Sequence, residues 1–300
     1  MTINHISASL DLTPTDDFVL QYINMLLGIY PKTKVECVHV TPVFDLATAL
    51  YTHNTDELEG TEERRKAIEQ NIELKVLQNI DNQFHENTLI HVGEGKVMDK
   101  LVYYAGEGEQ DLLVLGRKKN KDYFGRLTHE LIRRGSSHTL LVPEKPPITP
   151  RRILVAIDFS DNALRAYETA VELANKLPGL PHIHCLNVYE MPETEAMYAG
   201  FSPRSKEFET EMKKAVGFAY HNFLEKANVE LRGEKSPTFT ALNAPRSLCA
   251  ETIFHHANTF NADLIVMGVK GHSDVERFFL GSVVERMTLI NNKFPLLIVK

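Results

Sequence analysis

Only three cysteines, Cys37, Cys185 and Cys249, occur in 300 residues, too few and too scattered for a disulfide framework. A reducing, cytoplasmic compartment is the expectation. No apolar run approaches the roughly 20 residues that a spanning helix needs, so no membrane partner is expected. The opening MTINHISASLDLTP has no basic stretch followed by a long apolar one and does not read as a secretory leader. A basic excess is missing as well: 33 Lys+Arg face 40 Asp+Glu, a formal charge of −7, which argues against nucleic acid as a partner. Residues 1–150 carry 16 basic against 22 acidic side chains and residues 151–300 carry 17 against 18, so an anionic ligand meets less repulsion in the second half. There is no Gly-x4-Gly-Lys-Ser/Thr loop, and Gly93/Gly95 and Gly106/Gly108 lack the third glycine of a dinucleotide fingerprint.

What is present is an ordinary globular composition, 43% hydrophobic and 24% charged, over a length that suits about two domains. A repeat organises it. RRILVAIDFS (151–160) is an apolar run ending at Asp158, followed by a helix with Leu164, Tyr167, Val171 and Ala174 on one face and Ser160 as its cap. ISASLDLTP (6–14) likewise ends at Asp11 before a helix with Thr13 as cap, Pro14 in its first turn, and Val19, Tyr22, Ile23 and Leu26 inward. KVECVHVTP (34–42) answers HIHCLNVYEMP (182–192), and charged helices are expected around 57–84 and 205–228. TLIHVGEG (88–95) answers TFTALNAP (238–245), QDLLVLG (110–116) answers ADLIVMG (262–268), and TLLVP (139–143) answers PLLIV (295–299). The order β-α-β-α-β-α-β-α-β is written twice. Continuous Val/Ile/Leu strands between helices predict an α/β fold: two tandem open parallel sheets with helices on both faces, Rossmann-like. The proline-rich stretch 144–150 separates domains 1–146 and 147–300.

In such sheets a ligand sits beyond the strand carboxyl ends, where strand order reverses. At that place the second half carries Met267-Gly268-Val-Lys-Gly271, nine residues, then Gly281-Ser282. Glycines let backbone approach an anion, and a helix opening at Gly281-Ser282, with Val283, Met287 and Ile290 inward, offers free N–H groups and a positive dipole end. Ser282 with Glu285 also fits a capping box, and Asp158 also fits a turn-capping carboxylate. Four residues at fixed spacing after the right strand favour phosphate binding.

This second-half pattern, DLIVMGVKGHSDVERFFLGSVVERM with the opening ILVAIDFSDNALRAYETAVELA, resembles the ATP-binding signature of the universal stress proteins. The resemblance extends over the chain as two copies. It implies that Asp158, with Ala156 beside it, meets the adenine and ribose side of a nucleotide and that Val188 packs on the base. It places Met267, Gly268, Gly271, Gly281, Ser282 and Val283 at ribose and phosphate. ATP, with or without Mg, is the implied ligand.

The first half departs from the pattern. Gly116 is followed by Arg-Lys-Lys119, only eight residues separate it from Gly125 where twelve separate Gly268 from Gly281, and Arg126 stands where Ser282 does. A nucleotide there is not expected. His182-x-His184 puts two imidazoles on one strand face without a third ligand at zinc spacing, His255 and His256 point to surface and core, and Cys185 and Cys249 read as small buried hydrophobes. No metal site and no catalytic residue is expected, so the chain is at most a slow ATPase.

Two functions compete: a stress-response or signalling module that binds ATP in its second domain and engages regulatory proteins, and a nucleotide-independent tandem scaffold acting through protein contacts. Single-domain universal stress proteins dimerise through their last strand, so the resemblance implies that 139–142 pairs with 295–299 as an intramolecular pseudo-dimer.

Overall fold

A computed structural model describes residues 3–41, 61–103, 110–117, 122–191, 206–233, 236–271 and 280–300. The chain divides between Ile148 and Thr149 into two compact units.

The first unit runs β1 (His5–Ser9), α1 (Thr15–Ile29), β2 (Lys34–Thr41), α2 (Thr61–Asn79), β3 (Thr88–Glu94), α3 (Val97–Val102), β4 (Leu112–Arg117), α4 (Asp122–Arg134) and β5 (His138–Pro143). The second runs β6 (Arg152–Ala156), α5 (Asp161–Lys176), β7 (His182–Tyr189), α6 (Lys206–Lys226), β8 (Thr238–Asn243), α7 (Cys249–Phe260), β9 (Leu264–Gly268), α8 (Ser282–Ile290) and β10 (Leu296–Val299). The expected helix start at 57–60 lies outside the described residues, and the stretch past Asn79 tightens into a 3-10 turn, Asn82–Asn87.

Within the first unit the strands lie in the order β3-β2-β1-β4-β5, and within the second β10-β9-β6-β7-β8. Every described pair inside a unit is parallel. The core strands are buried over consecutive residues, Ile153-Leu154-Val155 in β6 and Leu264 to Met267 in β9, as a sheet covered on both faces requires. Helix α5 packs on β6, β7, β9 and β10, and α7 packs on β6 and β7. In α5 the buried stripe is Ala163, Ala166, Tyr167, Ala170, Val171 and Ala174, while Leu164 is half-buried. Small residues at four of those positions let the helix approach the sheet closely.

Strand order reverses between β1 and β4 in one unit and between β6 and β9 in the other. Both first strands end in the same turn. Leu12 and Phe159, each following an aspartate, adopt φ of 63° and 67°. This region is costly for a residue with a Cβ. Thr13 Oγ1 donates to Asp11 Oδ1 and Ser160 Oγ to Asp158 Oδ1, both at 2.6 Å, so each turn is stapled by its own carboxylate. The left-handed step sends Phe159 against Phe223 of α6 at 5.8 Å, where Tyr167 also meets Phe223 at 5.9 Å.

Thr13 does not cap α1. Its hydroxyl is committed to Asp11, the N-cap position is Pro14, and no side chain caps that end. Ser160 does cap α5, accepting from the Ala163 N–H at 3.2 Å. Ser160→Ala removes both the cap and a donor to Asp158, and is expected to cost about 1–2 kcal/mol in urea unfolding.

Candidate functional site

Beyond the carboxyl ends of β6 and β9 a cavity of about 650 Å³ opens. That volume is within the usual range for small-molecule sites. Ala156, Asp158, Val188, Met267, Gly268, Gly271, Gly281, Ser282 and Val283 all line it. The sheet brings them together because Ala156 and Met267 are register partners across β6 and β9, while Val188 is two residues past Leu186, the partner of Ala156 on β7. Asn187, on the other face of β7, is buried and donates to the Ile157 carbonyl at 2.9 Å, pinning the turn that carries Asp158.

The three glycines have separate reasons. A Cβ on Gly268 would lie 2.7 Å from the Asn162 backbone, so this glycine lets the β9 end close on the first turn of α5. A Cβ on Gly271 would strike Asp158 Oδ2. Since Asp158 Oδ1 accepts from both the amide and the hydroxyl of Ser160, at 3.1 and 2.6 Å, one oxygen fixes the turn and the other faces the glycine loop. Asp158 therefore staples its turn through Oδ1 and lines the cavity. A Cβ on Gly281 would stand 3.2 Å from the Val269 carbonyl and 3.3 Å from Lys270 Cα.

The capping box at Ser282 does not form. Gly281 is the N-cap, with φ −64° and ψ 137°, and no side chain caps α8. Ser282 is instead the first helical residue and is exposed at the cavity rim. The inward face of α8 is Val284, Met287 and Thr288 rather than Val283 and Ile290, which leaves Val283 in the cavity wall. An N-terminus that no side chain caps among the described residues thus opens onto a concave site.

Several wall residues escape the motif. Lys270 lies inside the glycine loop; Arg246 follows the carboxyl end of β8, and Glu190 follows β7. The Arg246 amide donates to Glu190 Oε1 at 3.1 Å, tying two loops at the rim. Their signal in the sequence is positional only: each follows a strand carboxyl end. Cys249 is not buried in the core but half-exposed in the wall, at the first residue of α7. Burial pushes its thiol up to about 11, with Asp158 raising it further and Arg246 opposing. That direction favours the protonated thiol at neutral pH.

Among the described residues the first unit does not repeat this arrangement. Gly116 keeps the close approach, since a Cβ there would lie 2.9 Å from Thr15 Cγ2, but Gly125 is inside α4, whose first residue is Asp122. Where the second unit has Ala163 in the cavity wall, the first has Asp16, a carboxylate 2% exposed at the start of α1. Among the described residues no group of three His, Cys, Asp or Glu side chains is arranged to hold a metal, and no helix is long and apolar enough to cross a membrane.

Residues 149–300 match the universal stress protein family. A Staphylococcus aureus (strain USA300) protein assigned to the same family is 32% identical over 139 residues, which is 46% of this chain and 77% of that one. The crystal structure of a universal stress protein from Archaeoglobus fulgidus covers 100% of this chain and 99% of its own, with a TM-score of 0.65 at 17% identity, a likeness of fold. Another universal stress protein, covering 47% of this chain at 14% identity and a TM-score of 0.33, was solved in complex with cAMP. With the family matched over just more than half its length, this chain belongs to the universal stress protein family.

Proposed function

We propose that the chain is a stress-response regulator that binds one ATP, in the cavity of residues 149–300, with little or no hydrolysis. The observation that carries this reading is the convergence of the nine candidate residues on one cavity into which α8 opens, capped by no side chain among the described residues. A cradle that Cβ atoms would fill, at Gly271 and Gly281, fits a polyphosphate that needs close backbone approach. Lys270 adds a cation to that end of the wall, and Val188 and Ala156 leave flat apolar area for a base. Mg would arrive on the phosphates rather than through a protein cage. Binding is carried by backbone and apolar contacts, and Asp158 Oδ1 is engaged by Ser160, which suits holding a nucleotide more than activating water.

Calorimetric titration with ATP is expected to give about one equivalent per chain, because Asp16 and the α4 interior occupy the corresponding place in the first unit. Two equivalents would overturn the single-site reading. Mass spectrometry of the denatured purified protein is expected to release nucleotide. Protein that carries none and takes up no ATP acts as a nucleotide-independent scaffold instead. A turnover approaching roughly 10 per second, the median for enzymes, would overturn the regulatory reading.

A further inference from the structure

At the ends of β7 and α7 remote from the cavity, three imidazoles meet. His184, 8% exposed, has Nδ1 2.7 Å from Thr238 Oγ1, and the same hydroxyl lies 2.9 Å from His182 Nε2. Nε2 of His184 faces Nε2 of His256 at 3.0 Å. Phe260 stacks on His184 with centroids 4.8 Å apart and meets His182 edge-on at 5.6 Å. The His184 and His256 centroids are 5.1 Å apart with planes at 22°. That separation is little short of the 3.0 Å contact plus two ring radii, so the rings meet end to end in nearly one plane. A shared metal needs lone pairs converging at an angle, whereas lone pairs opposed along one line share a proton.

The protons can be counted. With all rings neutral, the three contacts are satisfied by one directional chain, from His256 through His184 and Thr238 to His182, or by its reverse. One extra proton on His184 makes both its nitrogens donors and keeps every contact. Protonating His256 as well sets two N–H groups face to face and breaks the pair. The surroundings resist even the first proton. Burial drives His184 down to about 4, with His256 and His182 adding to the effect, and His256 is lowered by burial and His255. From β6, Arg152 is the register partner of His182 and its guanidinium donates to the Phe260 carbonyl at 3.1 Å. The Asp263 carboxylate after α7 is engaged by the Arg151 and Arg152 amides at 2.8 and 2.9 Å, and β8 contributes Thr238, which carries no charge.

We propose that this imidazole chain is an acid-sensitive latch that holds α7 and the edge strand β8 to β7, and whose opening loosens the α7 wall of the nucleotide cavity. Cys249, Ile253, His256 and Phe260 follow one another at intervals of four, three and four along α7, one stripe on one face. Cys249 and Ile253 line the cavity, and His256 and Phe260 close the latch. The coupling to the cavity rests on the ATP reading above; the latch does not.

The folded state takes up the His184 proton only near pH 4, whereas a released imidazole takes one near 6.5. The latch is therefore fully effective above about pH 6.5 and is lost as pH falls toward 4. Between pH 7.5 and 5.0 its opening becomes about 30-fold more favourable. Hydrogen exchange on the full chain, corrected for the intrinsic pH dependence, is expected to show that loss of protection in 238–243 and 249–260, with β6 and β9 unchanged. His184→Gln removes the group with the larger shift and should remove most of the difference, leaving the smaller part that His256 contributes; protection in those segments that falls equally in wild type and variant would overturn the latch. Should that variant fail to fold, NMR titration of the wild-type imidazoles decides: a His184 midpoint near 4 supports the latch and one near 6.5 refutes it. Saturating ATP is expected to suppress the acid opening of 249–260. Undiminished opening with ATP bound refutes the coupling alone, and absence of any ATP binding at pH 7.5 refutes the ATP reading and the coupling together while the latch is judged on the first two readouts.

Discussion

Gly281→Asp is expected to weaken ATP binding at least about 100-fold, close to 3 kcal/mol. The substitution puts a carboxylate at the N-cap of α8, where the helix dipole is positive and where the proposed phosphates approach. Two like charges about 4 Å apart repel by about 4 kcal/mol at an effective dielectric near 20, enough to account for the loss by itself. Sterics contribute separately, because any Cβ at this position stands 3.2 Å from the Val269 carbonyl and 3.3 Å from Lys270 Cα. Gly281→Ala isolates that part: its neighbours must give by a few tenths of an ångström, and a loss of about tenfold or less is expected. Calorimetry on both variants separates charge from crowding. Equal affinities for the two would mean that no anion lies at this helix end, and wild-type affinity in both would move the site elsewhere.

The strand-helix repeat was legible because its carriers are runs: Ile153 to Val155 and Leu264 to Met267 are apolar without interruption, which only a sheet covered on both faces accommodates. The glycine loop was legible because the spacing of Gly268, Gly271, Gly281 and Ser282 is local in sequence, whereas Ala156, Asp158, Val188, Met267 and Val283 came only with the family resemblance. What escaped was set by backbone or by contacts distant in sequence. Nothing in Leu12 or Phe159 announces a positive φ, and the turn they make diverts Thr13 from the helix cap to Asp11. The helix starting at Asp122 engulfs Gly125, which the sequence placed in a shortened loop. His256 meets His184 across 72 residues, a pairing that no spacing rule on either strand or helix reveals. Asp16 is the sharpest case, since a carboxylate in the first turn of a helix ordinarily reads as a favourable, solvated charge.

Asp16→Asn is expected to stabilise the protein at neutral pH and to destabilise it slightly in acid. The residue is 2% exposed; Oδ1 accepts from the Asp11 amide at 3.2 Å, while Oδ2 is buried with no hydrogen-bond partner among the described residues. Burial raises the carboxyl to about 6, Lys75 and the Leu12 and Thr13 amides pull it down, and Asp17 pushes it up. The sign follows from proton binding. Between an unfolded value near 3.8 and a folded value near 6 the folded state holds more protons, so this group costs stability above pH 6 and the cost vanishes as pH falls below 3.8. At pH 7.5 the full cost is about 3 kcal/mol. An asparagine keeps the Oδ1 acceptor and removes the buried charge, but its amide N–H groups must find acceptors where Oδ2 has none. A gain of about 1–2 kcal/mol at pH 7.5, turning into a loss of about 1 kcal/mol near pH 4 where only the amide penalty remains, is the expected result in urea unfolding of wild type and variant at both pH values. The same displacement at both, in either direction, would show that Asp16 is held neutral throughout or acts through packing alone. If the pH-dependent gain is found, the first unit keeps at the start of α1 an anion that costs it stability, at the position where the second unit has the methyl of Ala163 in its cavity wall.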